Sequence, residues 1–285
     1  PCLVRLLRIQ IDEPLYEKQL SQDIPCLTPV ADPVSVKVRQ LYEENPYPRW
    51  TRMRLPPSKP MNMVMAEIAP ALSFADGVDQ KNPYILVAGC GTGQHPIYTA
   101  SRFSGARVVA VDLSIASLAY AKRKAEEMGC ASITFMQADI LSLKQLNQKF
   151  DMIECGGVLH HLHDPLAGLE NLLTLLKPGG IMGIGLYSRL ARRYLNEIRR
   201  HLSGQDSCSI QQYIRRSRQE ILSSSLHASG FDILATKDFF TMSGCRDLLF
   251  HIQEHQFDIE QLSLVLEKWS LEFLGFQLAE SIKQR

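Results

Sequence analysis

Glycine stands at every second position in Gly89-Cys90-Gly91-Thr92-Gly93, with Gln94 and His95 directly after. Glycine lacks a Cβ and accepts positive φ, so this spacing lets the backbone turn sharply and approach a ligand that a side chain would push away. The free N–H groups of a helix that follows such a loop face the same ligand. Asp112 lies about 20 residues beyond the loop, where an acid holds a pair of ribose hydroxyls. It equally suits the N-cap of a helix after it, and the two roles are compatible. Asp139-Ile140 and Cys155-Gly156 close two further apolar runs. His160-His161-Leu162-His163-Asp164 offers imidazoles for a general base near neutral pH or for a metal. No second ligand cluster accompanies them, so no metal is expected. Asn45-Pro46-Tyr47-Pro48-Arg49-Trp50 sets two aromatics, an amide and a guanidinium between stiffening prolines, suited alike to a staple over the core and to a lid over a pocket.

Elements of a particular kind must position these groups. Tyr84–Ala88 is apolar, rich in strand formers and too short for a helix, so it reads as a buried strand. Arg107–Val111 is a second, Ser132–Met136 a third, Phe150–Cys155 a fourth and Ile181–Tyr187 a fifth. Helices fall between them: His95 to about Phe103, residues 114–128 between Ser114 as cap and Gly129 as stop, and Pro165 to about Leu176. This alternation predicts an α/β, doubly wound, mostly parallel sheet. Ligands of such sheets bind beyond the carboxyl ends of the strands, where Gly89, Asp112, Asp139 and Cys155-Gly156 all fall. Gln94 leaves the dinucleotide fingerprint G-x-G-x-x-G incomplete, which argues against a nicotinamide oxidoreductase.

The 285 residues suffice for one large α/β domain with additions, and a formal net charge of +1 gives no overall pull on nucleic acid or membrane. The seven cysteines are odd in number, scattered and without a C-x-x-C pair, which points to free thiols in the cytoplasm rather than zinc or disulfides. No apolar run approaches the ~20 residues that span a bilayer. Beginning at Pro1 rather than Met, the chain reads as a processed protein or a piece of a longer one.

Five stretches in order, Val-Ala-Gly-Cys-Gly-Thr-Gly, Val-Asp-Leu-Ser, Gln-Ala-Asp-Ile, Val-Leu-His-His-Leu and Leu-Lys-Pro-Gly-Gly, make residues 84–187 resemble a class I S-adenosylmethionine-dependent methyltransferase with a Rossmann-like sheet. Tyr42–Trp50 and Arg246–His255 further resemble the methyltransferase portion of bacterial tetratricopeptide-repeat methyltransferases, in which helical repeats lie upstream. The resemblance implies S-adenosyl-L-methionine as methyl donor. Gly89, Cys90, Gly91, Gly93 and Gln94 would form its cradle, Asp112 would take the ribose and Leu113 the adenine face. Asp139 and the Ile140 N–H would bind the adenine edge, while Cys155 and Gly156 would line the sulfonium. His160 and His161 fall where the family commonly uses a His-His-Leu run for packing and capping. The family often has an acid two residues before the first glycine, where this chain has Val87, so the donor's ammonium needs another acceptor, such as a carbonyl near Ala88 or Cys155, or Gln94. His95 is expected to shape the donor pocket. No catalytic residue is assigned, and His160, His161 and Tyr47 are the candidates, because displacement at a sulfonium needs alignment and desolvation rather than a metal or covalent intermediate.

Outside this core, Leu3–Ile11 reads as the tail of a helix, Pro14, Pro25, Pro29 and Pro33 interrupt the chain, and Val34 to about Glu44 is a helix. Ser188–Leu202 and about Ser209–His227 read as amphipathic helices bearing Arg189, Arg192, Arg193, Arg199, Arg200, Arg215, Arg216 and Arg218. A solvated face is the simpler reading of these arginines, and phosphate recognition the other. Asp258–Trp269 is a capped helix and Leu271–Leu278 a sixth strand, with too few residues after it for a seventh, so the sheet edge is expected to be incomplete. The expected organisation is an N-terminal arm or lid (1–60), a donor-binding core (61–187), a mainly helical cap inserted after strand five (188–256) and a C-terminal part of the core (257–285). The expected function is methyl transfer to an oxygen or nitrogen of a small molecule or protein side chain. The alternatives are an RNA methyltransferase using the arginine-rich cap and a non-catalytic donor-binding module. No membrane partner is expected.

Overall fold

The structure is a computed structural model that describes residues 2–70, 72–202, 209–224 and 233–277. Five apolar runs form the parallel strands β1 (Tyr84–Ala88), β2 (Arg107–Asp112), β3 (Ile133–Gln137), β4 (Phe150–Gly156) and β5 (Leu176–Gly185), side by side in the order β3-β2-β1-β4-β5. Period-2 alternation sends Ile85, Val87, Val108, Ala110 and Met152 to one core, and Leu86, Ala88, Val109, Val111, Ile153 and Cys155 to the other. Strands buried on both faces need apolar residues in succession, which is why these runs lack clean polar alternation. Strand β5 starts earlier than expected. Phe150 pairs with Leu176 and Met152 with Ile181, and the irregularity between them absorbs Lys177–Gly180.

Before the sheet, α1 (Cys2–Leu7) and α2 (Glu13–Leu20) are joined by a π turn over Arg8–Asp12. Pro14 therefore does not interrupt the chain; it sits in the first turn of α2, directly after the π turn. Helix α3 (Pro33–Glu44) starts at Asp32, whose carboxylate accepts from the Val34 and Ser35 N–H groups, and α4 (Met61–Ile68) completes the arm. The crossovers carry α5 (Gln94–Arg102), α6 (Ile115–Glu127) and α7 (Pro165–Leu175). Helices α5 and α6 cover one face of the sheet, and α7 with the short turn Ile140–Leu146 covers the other.

After β5, α8 (Arg189–His201), α9 (Ile210–Ser223), α10 (Lys237–Phe240) and α11 (Met242–Phe250) enclose a separate core around Leu195, Ile198, Ile214, Ile221 and Phe239. The expected end of the second cap helix, beyond residue 224, lies outside the described residues. Helix α12 (Ile259–Lys268) begins at the capping box of Asp258 and Gln261. No sixth strand follows among the described residues: 271–277 lack regular structure and residue 278 lies outside them. Positive φ at Ser270 and Gly275 bends this run, and Phe273 and Phe276 stay exposed, so its apolar pattern never meets a sheet edge.

Asp151, almost wholly buried on β4, holds three segments. It accepts from the Tyr84 N–H at 2.8 Å, the Asp79 N–H at 2.8 Å and the Lys177 ammonium at 2.6 Å. Removing one partner of such a buried pair strands the others. Asp151→Ala is expected to lower unfolding stability by about 3–5 kcal/mol. Urea denaturation would show this as a fall in midpoint with little change in slope.

Candidate functional site

The loop after β1 carries its three glycines at φ values of 76°, 51° and 90° for Gly89, Gly91 and Gly93. A Cβ at Gly89 would lie 2.2 Å from a Val158 methyl, and one at Gly93 would lie 2.8 Å from the Ala121 backbone, so both positions demand glycine on conformation and on space. Asp112 pins the loop: one carboxylate oxygen accepts from the Gly91 N–H at 2.8 Å and the other from the Ser114 N–H at 3.0 Å. Burial pushes the Asp112 carboxyl up from its usual range, while these N–H donors oppose the shift. The carboxylate retains lone pairs for a further donor.

The arm lies on the outside of this loop. The Thr92 hydroxyl donates to the Pro48 carbonyl, the Trp50 indole donates to the Thr92 carbonyl at 3.0 Å, and the Tyr120 hydroxyl donates to the Trp50 carbonyl. Glu43 reaches the start of α6, accepting from the Ile115 N–H at 2.7 Å and the Ala116 N–H at 3.1 Å. Of the two readings of Asn45–Trp50, these bonds make Trp50 a staple. Tyr47 turns its ring towards the cap, and burial together with Asp247 and Asp238 pushes its phenol up.

The remaining sequence-predicted residues sit at neighbouring strand ends. Asp139, buried, accepts from the Leu141 N–H at 3.0 Å and so caps the turn that buries Ile140. Leu113 follows Asp112, and its carbonyl accepts from Gln137 at 2.8 Å. Cys90 and Cys155 are buried free thiols, and burial pushes Cys155 up to about 12, so neither offers a thiolate. Gly156 is exposed beside the His95 ring, and Gln94 opens α5.

Above the ends of β4 and β5 lies a cluster that the linear sequence does not announce. His160 stacks on Tyr187 with ring centroids 3.7 Å apart, His161 stacks on His251 at 3.5 Å, and the Arg192 guanidinium lies 3.3 Å over Tyr187. Tyr42 donates to Asp247 at 2.6 Å and lies 3.3 Å from His251 Nε2. Burial lowers His160, His161 and His251 to about 3, so all three are neutral, and burial raises Asp247 to about 6 despite the Tyr42 hydrogen bond. Neither ring nitrogen of the fully buried His160 has a partner among the described residues.

His161, Asp247 and His251 bring three ligand atoms within 4.8 Å of one another. Both His161 Nδ1 and His251 Nδ1 face the Gln253 carbonyl, at 2.7 Å and 2.8 Å. A metal must lie near the plane of each ring that binds it, and two imidazoles stacked at 3.5 Å and 22° cannot both aim at one ion. The Tyr42 hydroxyl between Asp247 and His251 makes the group a hydrogen-bonded cluster instead. Tyr42, Asp247 and His251 escape a linear reading because they come together only through α3 and α11.

Arg189, Arg193, Arg200, Arg215 and Arg216 are exposed, as a solvated face requires, while Arg192 and Arg199 turn inward. Arg192 is buried at 3.8 Å from Glu254, Arg199 reaches Glu254 at 2.8 Å and the Leu248 carbonyl at 2.7 Å, and Arg189 pairs with Asp258 at 2.7 Å. No helix among the described residues is long and apolar enough to cross a membrane.

Residues 85–180 match a family described as a methyltransferase domain. An uncharacterized protein of Synechococcus is 32% identical over 256 residues, 86% of this chain and 60% of that protein. A ubiquinone biosynthesis O-methyltransferase of Actinobacillus pleuropneumoniae is 33% identical over 116 residues, 39% of this chain and 48% of that enzyme. The chain thus spans between about half and 60% of the length of these relatives. PKMT2 from Rickettsia typhi superposes with a TM-score of 0.58 at 22% identity, covering 80% of this chain and 45% of that one, which is a likeness of fold. The matched stretch, residues 85–180, holds the glycine loop, Asp112, Asp139 and Cys155-Gly156 described above.

Proposed function

We propose that this chain moves the methyl group of S-adenosylmethionine to an oxygen or nitrogen of a small molecule or a protein side chain. The observation that carries this reading is the glycine loop, clamped between Asp112 and the arm and facing the strand ends that bear Asp139, Cys155 and Gly156. In it Gly89, Cys90, Gly91, Gly93 and Gln94 cradle the donor, Asp112 takes the ribose, and Leu113, Asp139 and Ile140 hold the adenine. Cys155 and Gly156 flank the sulfonium. Bound there, the donor supplies an electrophilic methyl; the chain supplies alignment and exclusion of water.

The acceptor side is the seam of Tyr47, His160, Tyr187 and Asp247. A neutral His160 can accept a hydrogen bond from an acceptor O–H or N–H and orient its lone pair, but with its pKa near 3 it is a poor proton sink. Orientation is therefore its role, and the same holds for Tyr47. His161, already bonded to Gln253, supports the seam from behind. The name of the ubiquinone relatives favours oxygen, over a match of only 39% of this chain. An upstream tetratricopeptide-repeat region remains part of the proposal on the resemblance of Tyr42–Trp50 and Arg246–His255, and the exposed Leu3, Val4 and Leu6 of α1 offer it an apolar contact. The RNA reading is weakened because Arg189, Arg192 and Arg199 are engaged by acids of the chain itself.

Labelled donor incubated with cell extract, then split into protein, RNA and small-molecule fractions, tests the function. Label is expected in the protein or small-molecule fraction and is expected to fall about tenfold or more with Asp112→Asn, which removes the charge that faces the ribose. Label in RNA would move the assignment to nucleic acid, and donor binding without label in any fraction would reduce the chain to a binding module.

The neutral cluster also sets acid stability. A histidine held near pKa 3 contributes stability that is present above its unfolded value of about 6.5 and lost as pH falls towards 3. Asp247, raised to about 6, acts in the opposite sense, and its contribution is lost as pH rises through 6. Three histidines outweigh one aspartate, so stability is expected to fall steeply below about pH 6, at up to roughly 1.4 kcal/mol per pH unit for each net proton taken up. Urea midpoints across pH 4–7 would show it, and His251→Gln is expected to flatten the slope.

A further inference from the structure

Val87, where the family resemblance leads one to look for an acid, pairs in register with Glu154 on β4. Residues paired across parallel strands point to the same face, so the Glu154 carboxylate occupies the strand-end layer from which the β1 acid is missing. It is a costly place for a charge. The side chain is 10% exposed, and burial pushes its carboxyl up, yet the hydrogen bond and charge attraction of His95, with the Thr99 hydrogen bond, outweigh burial and leave it below its ordinary value. Glu154 is therefore ionised. The Thr99 hydroxyl donates to Oε2, and His95 Nε2 lies 3.2 Å from the same oxygen. Among the described residues Oε1 has no hydrogen bond.

The carboxylate fixes the tautomer of His95. In the neutral ring Nε2 carries the proton and donates to the carboxylate, which leaves Nδ1 as an acceptor. That edge of the ring faces the donor pocket: a Cβ built on Gly156 would lie 3.6 Å from His95 Cε1 and 3.8 Å from Nδ1. His95 keeps 35% of its side chain exposed there, and no hydrogen bond engages Nδ1 among the described residues. A carboxylate behind an imidazole makes the far nitrogen a stronger acceptor, as it does for histidines that bind metals.

We propose that His95, held by Glu154, accepts the α-ammonium of the donor's amino-acid end. His95 is the contacting group and Glu154 a positioning residue that also supplies the balancing negative charge. The acid has in effect moved from β1 to β4 and acts through a histidine on α5. This rests on the donor reading above, and the three glycines need not change for it to hold.

Calorimetric titration of the whole chain with three ligands tests it: S-adenosylhomocysteine, its deamino analogue, and 5′-methylthioadenosine, which lacks both ammonium and carboxylate. The wild type is expected to prefer S-adenosylhomocysteine to the deamino analogue by about tenfold or more, as suits a charged hydrogen bond. His95→Ala and Glu154→Gln are each expected to erase that preference while changing methylthioadenosine affinity less than about twofold. Equal weakening of all three ligands would show a structural role only and overturn the proposal, as would an ammonium preference that survives both substitutions. A wild type that binds none of the three would instead overturn the donor reading itself.

Discussion

The hydrogen bond from the Gly91 N–H to the Asp112 carboxylate ties the turn after β1 to the end of β2, and the rest of the site is referred to it. A loop with three residues at positive φ has few side chains of its own to hold it. Its conformation must be over-determined from outside. Asp112 supplies the inner constraint and the arm the outer one, through Pro48 and Trp50 on Thr92. The desolvation of the Asp112 carboxylate is opposed by the same N–H groups that it orders, so the charge and the loop geometry stabilise each other.

The arm and the cap close the opposite side by a different physics. Tyr42 on α3 meets Asp247 on α11, Glu44 meets Arg246 at 2.8 Å, and the chain around Gln253–Glu254 joins the cap to the loop after β4. The His255 N–H donates to the His160 carbonyl at 2.7 Å, so the segment returning from the cap is fixed to the backbone that follows Gly156 and Gly157. Stacked rings in this seam exclude water, and that exclusion keeps its histidines neutral.

The sheet also brings together positions that lie far apart in sequence. A side chain at the end of one parallel strand has a neighbour in register at the end of the next, and either can project into the same layer. Strand β1 carries Val87, with no acid on it. The paired position on β4 holds one, and α5 provides both of its partners, His95 in the first turn and Thr99 in the second.

Much of the core was legible in the sequence. The five apolar runs, the alternating glycines, Asp112 and Asp139 are local signals, because strand burial, turn conformation and helix capping each depend on a few adjacent residues. Helix starts at Ser114 and Asp258 were legible for the same reason, since a cap is satisfied within three residues. Other outcomes depended on partners far away. Residues 271–277 carry an apolar pattern but find no sheet edge to pair with, and Pro14 is absorbed by a π turn that no composition signals. Most cap arginines are solvated as their helix faces suggest, but Arg192 and Arg199 are drawn inward by Glu254, a partner more than 50 residues away. Tertiary structure alone decided the union of Tyr42, His161, Asp247 and His251, and the pairing of Val87 with Glu154, because register and burial are properties of the assembled chain and not of any stretch within it.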